Sequence, residues 1–181
     1  WWKSIYTNDL MRKQIKKFFL NFLYNREKKN KTKKIFKKFL KKPLIIAVIV
    51  DSRLNLNMND FNFLFDIFNV SKGNINFLWY KSPLVHHHSN HLGINIDDIS
   101  FTGKLSEEYD LFFNKNYDIL INAYRNNSIF IKSLSIKVKH SFAIGFTPVD
   151  PELNDIVFDF NPEKINIFKT ELVRYLNIIF K

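Results

Sequence analysis

Leu44-Ile45-Ile46-Ala47-Val48-Ile49-Val50, closed by Asp51-Ser52, is an uninterrupted apolar run of strand length. A strand with one wet face alternates apolar and polar residues, so this run predicts a strand buried on both faces, between two helical layers. Downstream, Asn59 leads into Phe61, Phe63, Leu64, Phe65, Ile67 and Phe68, a helix-length stretch closing near Lys72-Gly73. Asn74 to Tyr80 then sets Ile75, Phe77 and Trp79 on one face of a second strand. Strand, helix and strand in so short a span make one βαβ unit, whose crossover is right-handed.

Further along, residues 83–97 carry little pattern and read as a loop. Ile99 to Phe101 reads as a short strand, and Ser106-Glu107-Glu108 opens a short helix toward Phe113. Tyr117 to Ala123 is a strand, Asn127 to Lys139 a helix, and Ser141 to Phe146 a strand ending beside Gly145. Ile156 to Phe160 alternates as an edge strand does, and Pro162 stands at the first turn of a terminal helix carrying Ile167, Phe168, Leu172, Tyr175, Leu176 and Ile179. The expectation is a single three-layer, Rossmann-like α/β domain over 43–181, with a mostly parallel sheet of about five to six strands.

The 181 residues, 46% hydrophobic and 25% charged, suffice for one domain with a substantial core. With no cysteine, disulfide scaffolds, thiolate metal sites and cysteine nucleophiles are excluded. No run approaches the ~18 apolar residues of a membrane span, and Trp1-Trp2-Lys3 lacks the order of a signal peptide, so a cytoplasmic setting is expected.

Twenty Phe and only four Gly suggest A/T-rich codons, which inflate lysine without function. Yet the formal charge of +11 is unevenly placed: residues 1–42 carry +13 and residues 43–181 carry −2. Within this basic arm Met11, Ile15, Phe18, Phe19, Phe22 and Leu23 recur at helical spacing, and Ile35, Phe36, Phe39 and Leu40 repeat the pattern before Pro43. Two basic amphipathic helices are expected, the first laying its apolar stripe on the domain.

An arm rich in lysine suits phosphate, because each neutralised phosphate releases counterions and lysine needs only proximity. RNA or a ribonucleoprotein is the leading partner, through Lys13, Lys16, Lys17, Lys28, Lys29, Lys31, Lys33, Lys34, Lys37 and Lys38. An anionic membrane surface is the rival, since Phe on one face and Lys on the other also describe an interfacial helix, with Trp1, Trp2 and Tyr6 suited to that boundary. For the chain as a whole the runner-up is a small transferase or hydrolase, ahead of the membrane, with Asp51, Asn122, Thr147 and Asp150 at strand carboxyl ends, where α/β sheets bind ligands and where turns are also polar for hydrogen-bonding reasons.

No cofactor is expected: glycine stands only at 73, 93, 103 and 145, and no Gly-rich phosphate motif is present. His86, His87, His88 and His91, with Asp97 or Asp98, are metal-competent, but no Glu lies between the histidines as in a metalloprotease, and a loop run without a metal is expected. Gly145-Phe146-Thr147-Pro148-Val149-Asp150, followed by Leu153-Asn154-Asp155, reads as an elaborate hydrogen-bonded turn.

The basic lead-in, the Leu44 to Asp51 strand, Tyr117-Asp118-Ile119-Leu120-Ile121-Asn122 and the Gly145 to Asp155 turn together resemble an uncharacterised family of small Bacteroidota proteins. The resemblance covers most of the chain and implies one bacterial α/β domain without an assigned activity.

Overall fold

A computed structural model describes residues 2–30, 43–80, 91–100 and 102–179. Helix α1 (Trp2–Asn30) precedes β1 (Ile46–Asp51), α2 (Phe63–Phe68), β2 (Ile75–Tyr80) and β3 (His91–Ile94). Then come α3 (Asp110–Phe113), β4 (Asn116–Ala123), α4 (Ile129–Lys137), β5 (Lys139–Phe146), β6 (Ile156–Phe158) and α5 (Ile165–Ile179).

Six strands form one sheet in the order β3-β2-β1-β4-β5-β6, with every neighbouring pair parallel. The apolar run from Ile46 lies in the middle of it, all six residues of β1 buried, as its composition requires. Residues of alternate parity feed two cores. Ala47, Ile49, Leu78 and Leu120 meet Leu20 and Tyr24 of α1, Phe112 of α3 and Leu134 of α4. Val48, Val50, Phe77 and Ile121 meet Leu64 of α2 and Phe168 and Leu172 of α5. The result is three layers, Rossmann-like in strand order, as the sequence leads one to expect.

Four local expectations are corrected. The segment read as a loop over 83–97 contains β3, an edge strand only four residues long, paired with Phe77 to Tyr80. The expected strand at Ile99 is instead the end of a 3-10 turn, Ile96–Asp98, where Asn95 and Asp98 form a reciprocal capping box. The helix after β1 breaks in two. A capped 3-10 turn at Met58–Phe61 precedes α2, which stops at Asn69 in the left-handed conformation (φ 49°) rather than at Lys72. The terminal helix starts at Ile165, three residues beyond Pro162, which lies in the preceding turn.

The largest correction concerns α1. It is one helix free of Gly and Pro, with Lys28 and Lys29 at its negative C-terminal pole. The face it lays on the domain is not the expected stripe: Lys16, Leu20 and Tyr24 are buried, and Leu23 is half-buried. Met11, Ile15, Phe18, Phe19 and Phe22 face solvent. The compositional boundary at residue 42 is therefore not a packing boundary, because α1 belongs to the core. The second expected arm helix, at 35–40, lies outside the described residues.

Candidate docking surface and the carboxyl edge of the sheet

Strand order reverses between β1 and β4, so the place where sheets of this topology bind ligands lies beside Asp51 and Ala123. Asp51 is 3% exposed, and its carboxylate accepts from the Arg53 backbone N (3.1 Å), Arg53 Nε (2.8 Å) and Arg53 Nη2, two residues on. The pair closes its own turn, and Ser52 completes it by donating Oγ to the Tyr80 carbonyl at 2.9 Å. Burial pushes the Tyr80 hydroxyl up to about 12, against the pull of the Ser128 hydroxyl and the Arg53 guanidinium.

Asn122 is fully buried and donates to Asn154 Oδ1 at 2.7 Å. Thr147 donates to Asp159, and Asp150 caps the turn at Pro151–Leu153 by accepting from the Glu152 N–H at 3.0 Å. Among the described residues no hydrogen bond links any two of Asp51, Asn122, Thr147 and Asp150. Each is engaged by a partner that fixes a turn, a strand end or a helix, and the arrangement offers no pair of groups set for proton transfer. A cavity of about 230 Å³ lies elsewhere, beside the amino end of β2 against Met58, Asn59, Lys72 and Phe77, and is smaller than usual substrate pockets.

Among the described residues no three His, Asp or Glu side chains gather as a metal site. His86, His87 and His88 lie outside those residues. Asp98 is engaged in its own turn, accepting from the Asn95 N–H at 2.6 Å and from the Tyr109 hydroxyl at 3.2 Å.

The carboxyl edge instead holds α1. Tyr24 Oη and Lys28 Nζ donate to Asp150 at 2.8 and 2.9 Å, and Lys28 also pairs with Glu152 at 2.9 Å. Burial alone would raise the Asp150 carboxyl, but these two donors outweigh it and hold the group below its ordinary value. The same bonds to Asp150 and Glu152 raise Lys28. A depressed carboxyl contributes stability that is complete above about pH 4 and is lost as pH falls through the folded pKa. A raised ammonium contributes stability that is lost only as pH rises through its own folded value. The latch therefore holds across neutral pH. Asp150→Asn is expected to flatten the acid arm of the stability curve below about pH 4, read by thermal unfolding at fixed ionic strength; an unchanged acid arm contradicts the latch.

With the inner face held by Leu20, Tyr24 and Lys28, the outer face is fixed too. Met11, Ile15, Phe18, Phe19 and Phe22 cover an arc of about 100° opposite Leu20 at 100° per residue, and run about 16 Å along the axis. Phe18 and Phe22 are 70% and 62% exposed, and Phe18 meets Phe19 edge to face at 6.0 Å. Exposed apolar groups scattered singly are ordinary, but a continuous stripe of this kind marks a surface that meets something apolar.

The lysines divide. Lys16 is buried and donates to the Ile96 carbonyl at 2.8 Å, and Lys28 belongs to the latch, so both leave the phosphate-contact set. Lys13, Lys17 and Lys29 are exposed, as are Arg12 and Arg26, neither of which the sequence reading included. Lys31, Lys33, Lys34, Lys37 and Lys38 lie outside the described residues. Reading the helix as two opposed stripes, Lys16/Leu20/Tyr24 against Met11/Ile15/Phe18/Phe22, would have found the latch residue Tyr24; both stripes have helical spacing.

A model described as a family of unknown function (DUF6913) matches residues 16–179. This bears out the resemblance to an uncharacterised family, and the match begins inside α1, as the packing does. No curated protein matches the chain. Among solved structures, an NAD-dependent formate dehydrogenase from Staphylococcus aureus in complex with NAD is similar at 14% identity and a TM-score of 0.27, over 75% of this chain. The chain spans about half the length of that enzyme, 50% of which is covered.

Proposed function

The chain belongs to DUF6913, a family of unknown function, and we propose that it is a cytoplasmic, non-catalytic binding module whose working surface is the outer face of α1. The observation that carries this reading is that Met11, Ile15, Phe18, Phe19 and Phe22 are exposed on a helix whose opposite face is anchored in the core. The carboxyl edge supports an enzyme less well, since its candidate groups are spent on structure.

The partner's charge follows from the cations of α1, of which Arg12, Arg26 and Lys29 lie on or beside the apolar arc and Lys13 and Lys17 nearer the anchored side. Arg12, Lys13, Lys17, Arg26 and Lys29 are exposed along the described part of α1, against Glu27 as the one acid between Leu10 and Lys29. Such a surface takes an anionic partner, by general attraction rather than by shape. The concentration of +13 in residues 1–42 favours RNA or a ribonucleoprotein as one such partner. A Bacteroidota cytoplasm is the setting the family resemblance supports.

Charge reversal tests the reading. Arg12→Glu/Lys17→Glu/Lys29→Glu is expected to elute from an immobilised heparin matrix at clearly lower salt than the natural chain, because affinity for a polyanion falls with each cation removed. Lys164→Glu/Lys169→Glu, at and beside the start of α5 on the far side of the sheet, is expected to shift elution less. Equal shifts for the two sets would remove α1 as the docking surface.

A further inference from the structure

We propose that the outer face of α1 seats this protein on an anionic lipid bilayer, with Phe18, Phe22, Met11 and Ile15 entering the interface and Arg12, Arg26 and Lys29, on or beside the same arc, meeting lipid phosphates. The inference rests on the reading of α1 as a docking surface and names its partner. No described helix is long and apolar enough to cross a membrane, and the attachment proposed for α1 is peripheral.

Charge and shape select this partner from three. A second copy of the chain would bring two surfaces of the same sign together, since α1 carries eight Lys and Arg against two acids, Asp9 and Glu27. Five apolar side chains on one helix also fall short of the roughly 20 residues a side of a stable complex. RNA satisfies the cations and can stack bases on Phe18, Phe19 and Phe22, but it leaves Met11 and Ile15 wet, since base stacking uses an aromatic plane. An anionic bilayer satisfies both halves. Its interface takes in an apolar arc to a shallow depth, while Lys and Arg stems lie along the boundary with their charges at the headgroups.

The latch makes the face ready without a partner. Many interfacial helices fold only on the lipid and spend part of the binding energy on ordering. Here Leu20, Tyr24 and Lys28 already hold α1 in place, and Leu20 and Leu23 pack over Gly103, whose φ of 75° and lack of a Cβ admit the Leu23 methyl. Pre-ordering leaves more of the burial free energy to appear as affinity.

The test is co-sedimentation of the full chain with vesicles of equal parts phosphatidylglycerol and phosphatidylcholine, and with phosphatidylcholine alone. The natural chain is expected to partition onto the acidic vesicles and at least about tenfold less onto the neutral ones. Phe18→Ser/Phe22→Ser is expected to lose at least about tenfold in partitioning onto acidic vesicles, with its melting temperature retained because both rings are exposed. Equal partitioning of that variant and the natural chain, equal binding to both vesicle types, or no vesicle binding would each overturn the bilayer. If vesicle binding is absent while heparin retention still depends on Arg12, Lys17 and Lys29, the bilayer is overturned and the docking surface stands for a polyanionic partner. If neither is seen, both readings fall.

Discussion

Leu20→Ala is expected to lower the unfolding free energy by about 3 kcal/mol, and Phe18→Ala, two residues away on the same helix, by less than about 0.5 kcal/mol. Leu20 is 1% exposed and packs in the core with Tyr24 and over Gly103, so truncation leaves a cavity that a sheet on one side and a helix on the other are slow to fill. Phe18 is 70% exposed and loses only its edge contact with Phe19. Urea unfolding of the two variants reads the difference directly, as a fall in midpoint for one and not for the other. A sequence-only reading predicts the reverse, since Phe18 is the larger apolar residue of the expected inner stripe. Comparable losses for both would place α1 with its other face inward and remove the docking surface.

A second large effect is expected at Gly145. A Cβ there would stand 2.3 Å from Asn154 Nδ2 and 2.4 Å from its Cγ, inside any allowed contact. The Asn154 side chain would have to swing away, breaking its 2.7 Å bond with the fully buried Asn122 amide. Leaving a buried amide without its partner costs about 1–3 kcal/mol, and displacement adds to it, so Gly145→Ala is expected to destabilise by about 3 kcal/mol. Asn154→Ala is expected to cost part of this by itself. Because it also clears the space, Gly145→Ala should then cost much less in the Asn154→Ala background, a strong departure from additivity. Additive losses in this cycle would show that the glycine is required for some other reason.

The strands were legible because their chemistry is local. Leu44 to Val50 has no polar residue to put in water, so a doubly covered strand follows from composition alone, and the neighbouring βαβ unit with it. His91 to Ile94 escaped because four residues after a histidine run carry no periodicity, and pairing with Phe77 to Tyr80 decides their state. The face of α1 escaped for a sharper reason. Two opposed stripes both have helical spacing, and periodicity states that a face exists without stating which way it points. Lysine at the buried position 16 hid the inner stripe further, since its ammonium finds the Ile96 carbonyl, eighty residues away.

The carboxyl-edge residues show the same division. Polar groups at Asp51, Asn122, Thr147 and Asp150 were readable as strand-end residues. Arg53, the partner of Asp51, lies two positions on and was within reach of sequence reasoning. Asn154 is 32 residues from Asn122 and Tyr24 is 126 from Asp150, so these partners exist only once the sheet has formed. A carboxylate that acts and one that fastens a helix are the same letter until the partner is known.

The absence of cysteine permits the most direct measurement: a single Phe18→Cys carrying a polarity-sensitive fluorophore, with Thr170→Cys on the exposed side of α5 as its counterpart. On titration with phosphatidylglycerol vesicles the label at 18 is predicted to shift to the blue and brighten, and the label at 170 to stay unchanged, with neither responding to phosphatidylcholine. A label at 18 that stays as wet as the one at 170, or two labels that respond alike, would contradict the assignment of α1 as the membrane-facing surface.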